Sequence, residues 1–494
     1  MVSREPEAAV APPAPTAPLE GKPARRPVHG SGRDLTTGSI PKNLWWLAWP
    51  QIVEGVLNVV DQIVDIIWAG LISVSTIAGV GIAQTFRQLT MTGRMGLDTA
   101  MRAQVARAIG AGDTRLANHL VLQGFTLSGS FTITMATIGV IFTVPFMRVL
   151  GIGEEVVDAA SGYVRLQFVG FAGLALRQMS GAALQAAGDA ITPMKATTLT
   201  RAGHIVMSPF FIFGWVFFPQ LGIEGAALAD VIAQFFGAVW NFSVLFRGTS
   251  RLHLTLKGYR PDFPVLWRTT KIGLPASISG MERSTAQLVM LVLVTNFGTL
   301  ALAAFSLTRR AENLAQLGSQ GLGQSSGVLV GQNLGAGRPD RARQTVYWAI
   351  GYVLILGVIK VALLLAFANG IVTVFTRDAE LIPLAADWLR ILALSVVCLG
   401  ASQVFAQSFN IAGETFIPMM VSLLSFWIIE VPLAVMLSGL SISIGLFGLH
   451  FTFPILADLG QFGIAWAITI AMVIRIMAFV PFFMGDRWLK RRVI

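Results

Sequence analysis

The chain has 494 residues, 54% of them hydrophobic and only 13% charged, about half the charged share of a soluble globular protein. So few polar side chains cannot cover a folded chain of this length, which excludes a water-soluble fold and leaves a bilayer as its solvent. The 36 basic and 26 acidic residues give a formal charge of +10, but the basic ones sit at the ends of apolar segments, where they set orientation, so no nucleic-acid partner is expected.

In chain order, residues 1–42 are rich in Pro and Ala, lack the apolar core of a cleaved signal peptide, and read as a disordered cytoplasmic tail. Apolar stretches over 44–70, 75–108, 116–147, 155–187, 190–217 and 223–246 then form an N-terminal lobe, 43–247. A polar, basic linker occupies 248–264. Six further stretches, 265–296, 300–333, 342–375, 381–411, 416–440 and 460–484, form a C-terminal lobe, 265–487, followed by a basic tail, 488–494. The single cysteine, Cys398, excludes an internal disulfide. The expected fold is an all-α integral membrane protein with twelve transmembrane helices in two six-helix bundles.

Arg107, Arg115, Lys195, the linker cluster, Arg338, Arg341, Arg343 and the tail residues Arg487, Lys490, Arg491 and Arg492 share one side of the membrane. The loops of the other side offer Arg148 and Arg377. The positive-inside rule makes both termini cytoplasmic, and therefore the number of spans even, in a cell-membrane protein.

A shift of 225 residues superimposes Pro50 on Pro275, Ala78 on Ala303, Gly93 on Gly318, Gly96 on Gly321 and Gly110-Ala-Gly112 on Gly335-Ala-Gly337. Further on it brings Ala187-Gly188-Asp189 onto Ala412-Gly413-Glu414 and Pro193-Met194 onto Pro418-Met419. The two lobes are repeats of parallel orientation around a membrane-normal axis, an architecture suited to alternating access at a midplane site.

The first span carries Glu54, Asn58, Asp61 and Asp65, whose spacing aligns them in one polar stripe. Each ionised acid at a helix centre costs about 2.5–3.5 kcal/mol in lipid, so the stripe must face a cavity or partners. Like charges a turn apart disfavour full ionisation, so the stripe holds a proton and can couple transport to H⁺; the alternative is pairing with membrane-embedded arginines such as Arg87, Arg94, Arg102, Arg177 and Arg201. His204, a lone imidazole in the fifth span, is either a hydrogen-bonded core residue or part of a proton relay. The second half offers Glu282, Glu312, Glu430 and Arg283 as candidate substrate-binding residues; its acids are otherwise partners of nearby arginines. None of these acids has an acidic repeat image, so coupling is expected in the N-terminal half alone. There is no P-loop, no zinc-binding His-Glu-x-x-His and no nucleophile elbow, so no enzyme activity, metal or cofactor is expected.

Leu47 to Gly70 with Pro50 and Val64-Asp65-x-x-x-x-Gly70, Val330-Gly-Gln-Asn-Leu-Gly-Ala-Gly337, Ala187-Gly188-Asp189 with Pro193, and Gly222-x-x-Gly-Ala-Ala227 together resemble the multidrug and toxic compound extrusion (MATE) family over residues 43–487. That resemblance implies export of a small organic substrate against inward H⁺ or Na⁺. The family's first-helix aspartate falls on Asp65, while its helix-five Asn and Asp fall on His204 and Ser208. The aspartate that some Na⁺-coupled members carry in helix ten has Leu399 and Gly400 as its nearest positions. Na⁺ needs several oxygen ligands and a proton one basic group, so these departures favour H⁺. The expected protein is a monomeric antiporter exporting amphipathic organic compounds in exchange for H⁺, with Asp65 as proton carrier and Asp61 and Glu54 tuning it. The alternatives are a Na⁺-coupled exporter of the same family and a lipid-linked precursor flippase, whose arginine-lined cavity would take an anionic head group.

Overall fold

The computed structural model describes residues 32–72, 74–149, 152–216, 218–440, 443–446, 449–452, 454–491 and 493. Residues 1–31 of the expected N-terminal tail, and Arg492 and Ile494 of the C-terminal one, lie outside them. Among the described residues the N-terminal lobe contains α1 (Ile40–Ile72), α2 (Val74–Gly110), α3 (Thr114–Val149), α4 (Glu154–Ala186), α5 (Ile191–Phe213) and α6 (Ile223–Arg247). The C-terminal lobe contains α7 (Phe263–Thr295), α8 (Thr299–Gly335), α9 (Pro339–Thr373), α10 (Leu381–Ala412), α11 (Phe416–Ser438) and α12 (Gln461–Met484). Helix α11 contains a π-helical turn, Ser425–Glu430. A short antiparallel hairpin, Ser443–Leu446 with Leu449–Thr452, lies in the α11–α12 connection.

Seven of these helices, α1, α3, α6 and α9 to α12, are long and apolar enough to cross a membrane by length and composition alone. The other five carry ionisable groups in their interiors: Arg87, Arg94, Asp98 and Arg102 in α2, Arg177 in α4, Arg201 and His204 in α5, Glu282 and Arg283 in α7, and Arg309 and Glu312 in α8. In a twelve-helix bundle these are the helices whose polar residues face protein and internal water, as intramembrane charge requires. In α1 the other face carries Ile63, Ile66 and Ile67, all exposed, which suits lipid contact.

The repeat is a physical two-fold. A Cβ on Gly110 would collide with the carbonyl oxygen of Gln332, and a Cβ on Gly335 with that of Arg107. The two glycines are 225 residues apart and so are the two carbonyl residues, so the contact reads alike from either lobe, as an isologous interface does. Deeper in, Gly96 abuts Gly273 and Ser277 of α7, while Gly321 abuts Ala48 and Ile52 of α1, again the same shift. Arg107 Nη2 donates to the Ala412 carbonyl at 2.9 Å and Gln332 Nε2 to that of Ala186 at 2.7 Å. The chain then turns at Gly112 and Gly337, with φ of 83° and 69°, a left-handed conformation open to glycine. The lobes are thus closed against each other on the side of the two Gly-Ala-Gly turns.

The ends are more ordered than charge alone suggests. Leu35 is fully buried, Arg338 Nη1 donates to the Thr36 carbonyl at 2.7 Å and Arg33 N to the Gly188 carbonyl at 3.3 Å, so residues 32–39 dock on both lobes and α1 starts at Ile40 rather than beyond residue 42. Trp488 and Val493 are buried as well. Within the linker Leu252 and Leu254 are buried, and Gln123 Nε2 of α3 donates to the Arg260 carbonyl at 2.7 Å. In each segment a few apolar side chains bury and the flanking charges stay in water.

Candidate functional site

A cavity of about 330 Å³ lies between the lobes. Its walls come from α1 (Gln51, Glu54, Asn58), α2 (Arg94, Asp98, Arg102), α4 (Arg177, Gln178, Gln185), α8 (Gln320, Gln324) and α10 (Gln407). Arg102 is eight residues from Gly110, about 12 Å along α2, so the cavity begins just inside the Gly-Ala-Gly closure. Arg102 Nη1 crosses the lobe boundary to Gln324 Oε1 at 2.5 Å, and Gln51 Nε2 crosses to Ser325 Oγ at 3.0 Å. Arg94 is occupied by Asp98 at 2.9 Å and Gln178 at 2.6 Å. Glu54 is half-buried, accepts from Gln185 Nε2 at 3.4 Å, and has no ion pair among the described residues.

Further along α1, beside the cavity rather than in it, lies a buried ionisable cluster. Arg201 Nη1 donates to Asp61 Oδ2 at 2.6 Å and lies 3.4 Å from Asp230 Oδ1; its Nε donates to Asn58 Oδ1 at 3.0 Å. Arg87 Nη1 is 3.7 Å from Asp230 Oδ2, and Gln234 Nε2 donates to Asp230 Oδ1 at 3.0 Å. His204 Nδ1 meets Asp61 Oδ1 at 2.7 Å, and its Nε2 faces Asp65 Oδ1 at 3.6 Å. Asp61, Asp65, His204, Arg201 and Asp230 are all at least nine-tenths buried.

The stripe on α1 therefore divides. Glu54 and Asn58 line the cavity, whereas Asp61 and Asp65 are sealed in the lobe. Asp61 is clasped by Arg201 and His204, the pairing outcome. Asp65 has no guanidinium within ion-pair distance among the described residues. Three carboxylates (Asp61, Asp65, Asp230) face two guanidiniums within ion-pair distance (Arg87, Arg201), with Arg177 held behind Gln234, so the ion-paired cluster keeps one negative charge when His204 is neutral. An ionised Asp61 fixes the His204 proton on Nδ1, so a neutral imidazole would turn the bare Nε2 lone pair toward a carboxylate. That Nε2 is buried without a hydrogen-bond partner. One proton, on Asp65 or on Nε2, cancels both the residual charge and the repulsion. A polar chain, Asn58–Arg201–Asp61–His204–Asp65, connects this position to the cavity wall.

Asp61, His204 and Asp230 also offer ligand atoms within 4.8 Å of one another, close enough to hold a metal ion. Arg201 Nη1 already lies between the two carboxylates, so a fixed guanidinium occupies the place of a free cation.

In the C-terminal lobe the expected substrate residues lie away from the cavity wall just described. Glu282, Glu312 and Glu430 are buried. Arg475 Nη2 is 3.7 Å from Glu282 Oε1, and Arg309 Nη1 donates to Glu312 Oε2 at 2.6 Å. Arg283 is exposed; with the Gln403 amide oriented to accept, both its terminal nitrogens donate to that oxygen at 2.9 Å. Two of the three acids are thus arginine partners, which removes them as ready anchors for a cationic solute.

Sequence reasoning passed over Asp230 and Asp98. Both are acids inside apolar spans, so the rule that singles out the α1 stripe would have found them.

The MatE family model matches residues 50–210 and again 275–436, the same two halves offset by the internal repeat. The probable multidrug resistance protein YoeA of Bacillus subtilis is 25% identical over 397 residues, 79% of this chain and 85% of that protein. The probable multidrug resistance protein NorM of Thermotoga maritima is 25% identical over 468 residues, 92% and 94% of the two chains. The FAD transporter of Shewanella oneidensis is 23% identical over 429 residues, 85% and 92%. Among solved structures, an outward-facing MATE family multidrug resistance transporter superposes with a TM-score of 0.83 at 21% identity, covering 93% of this chain and 98% of that one. A mutant of the Vibrio cholerae MATE transporter VcmN gives 0.82 at 22% identity, covering 93% and 100%. These superpositions establish the fold.

Proposed function

The chain belongs to the MatE family, and from that premise we propose that this multi-pass membrane transporter is a secondary antiporter, exporting amphipathic organic compounds in exchange for H⁺ by alternating access. The observation that carries the proton coupling is the facing pair His204 Nε2 and Asp65 Oδ1 at 3.6 Å, in a buried cluster one positive charge short of neutrality. Arg201, seated between Asp61 and Asp230, favours H⁺ over Na⁺, because a metal ion would have to displace it.

The positive-inside rule makes the Gly-Ala-Gly side cytoplasmic, so the lobes are closed inward and the cavity serves the outer face. A proton arriving from outside neutralises the Asp65–His204 pair. It strengthens the His204 hold on Asp61, and Arg201 bonds Asp61 and Asn58 at once, so the change reaches the cavity wall. Rocking of the lobes about the α2–α8 contact then exchanges the accessible side.

Asp65→Asn tests the role. In proteoliposomes with an imposed pH gradient it is expected to abolish gradient-driven ethidium efflux while the purified protein stays monodisperse; undiminished efflux rejects Asp65 as the carrier.

A second reading of the cargo is favoured by the cavity wall, where Arg94, Arg102 and Arg177 outnumber Glu54 and Asp98. That excess suits a solute with an anionic group, and the FAD transporter among the relatives supports it; a lipid-linked precursor has the same head-group chemistry. Competition of anionic against cationic dyes, with a lipid-translocation assay alongside, separates the readings.

A further inference from the structure

The buried ion-paired clusters of the two lobes differ in the identity of their residues, but in each the carboxylates exceed the guanidiniums paired with them by one. In the N-terminal lobe three buried carboxylates meet two guanidiniums, and Asp65 is left over. In the C-terminal lobe Glu282, Glu312 and Glu430 meet Arg475 and Arg309. Arg475 pairs with Glu282 and Arg309 with Glu312, leaving Glu430. That carboxylate is 3% exposed, its Oε2 has no hydrogen-bond partner, and it has no ion pair among the described residues. The charged groups around it are Arg475 on α12, Arg309 and Glu312 on α8, and Glu282 on α7. Arg283 on α7 is exposed, held by Gln403, and bears on Glu282 rather than on Glu430.

The backbone supplies a second, independent observation. Glu430 closes the π-helical turn Ser425–Glu430, a rare feature that accommodates one residue more than an α-turn. Under the 225-residue shift His204 maps to residue 429. A π-helical turn rotates the residues that follow it relative to a regular helix, and Glu430, at its end, is the chain neighbour of position 429. The leftover carboxylate of the C-terminal lobe thus lies one residue from the repeat image of His204, the imidazole of the proton pair.

We propose that Glu430 is a second proton-binding site, so that each lobe holds one exchangeable proton: between Asp65 and His204 in one, on Glu430 in the other. This rests on the proton-coupled reading above. An ionised Glu430 leaves the C-terminal cluster with one uncompensated negative charge in a buried setting, and a single proton removes it. Protonated, its hydroxyl becomes a donor for a neighbouring carbonyl or carboxylate. Two protons per cycle follow, where expectation had put coupling in the N-terminal half alone.

The test uses the full-length protein in lipid nanodiscs, where infrared difference spectra between acidic and alkaline pH report carboxylic acids. Wild type is expected to show a pH-sensitive carboxylic-acid band of which one component is lost in Glu430→Gln and retained in Asp65→Asn. A Glu430→Gln spectrum identical to wild type overturns the proposal. If that variant fails to fold, Glu430→Asp, which keeps the carboxyl, must move the same component; no movement is again a refutation. In proteoliposomes with the membrane potential clamped, the ethidium ratio at zero flux is expected to change about a hundred-fold per pH unit in wild type and about tenfold in Glu430→Gln, since each coupled proton contributes a decade per pH unit. A tenfold slope in both proteins refutes the second site and leaves the first intact. Wild-type ethidium efflux blind to the pH gradient rejects the proton-coupled reading itself, and the infrared result then decides Glu430 alone.

Discussion

Replacing Arg201 by Met removes the one cation that touches Asp61, Asp230 and Asn58 together. The cluster then holds three buried carboxylates against Arg87 and His204. Removing one partner of a buried ion pair costs about 3–5 kcal/mol, because the other charge stays behind without compensation. Arg201→Met combined with Asp61→Asn removes both charges and should recover much of that loss, with an interaction energy of about 1–3 kcal/mol. Equilibrium unfolding in mixed micelles, followed by fluorescence of the chain's 12 tryptophans, measures all four proteins of the cycle. Two substitutions that are simply additive would show that Arg201 does not compensate Asp61.

Two further outcomes follow from the cavity and its closure. Gly335→Ala places a methyl group against the Arg107 carbonyl; overpacking of that kind costs about 1–3 kcal/mol, which shifts the conformational equilibrium away from the closed Gly-Ala-Gly side by roughly five- to 150-fold. The readout is faster thiol modification of a cysteine introduced at that side, Cys398 being buried, and unchanged labelling counts against the closure. Glu54→Gln removes a carboxylate from the cavity wall, so ethidium affinity should fall about tenfold, the loss of one charge-assisted contact of about 1.5 kcal/mol. The number of protons per cycle should stay as in wild type; unaltered affinity would take Glu54 out of the substrate site.

What could be read from the sequence was whatever depends on the chain's own periodicity. The 225-residue shift anticipates the two-fold contact of Gly110 and Gly335 because both glycines are needed where two helix backbones touch. The spacing of Glu54, Asn58, Asp61 and Asp65 anticipates a stripe, since it is fixed by 3.6 residues per turn. Whether a given member of the stripe meets water or a guanidinium depends on the rotation of α5 and α6, which the spacing on α1 does not encode. For that reason Asp61 and Glu54, about two turns apart, end in different surroundings. Asp230 shows the same limit from the other side: its place in the cluster is set by how α6 packs on α5. The π-helical turn at Ser425–Glu430 is likewise a product of packing, and without it Glu430 reads as one more acid on an apolar helix.

The central claim is that one exchangeable proton lies between Asp65 and His204. Isotope-labelled histidine NMR of the protein in lipid addresses it directly, since the chain has five histidines and His204→Gln identifies the resonance by subtraction. The expected result is a His204 Nε2 signal that responds to pH in wild type and loses or displaces that response in Asp65→Asn. A His204 Nε2 signal that is the same at every pH, and the same in Asp65→Asn as in wild type, contradicts the claim.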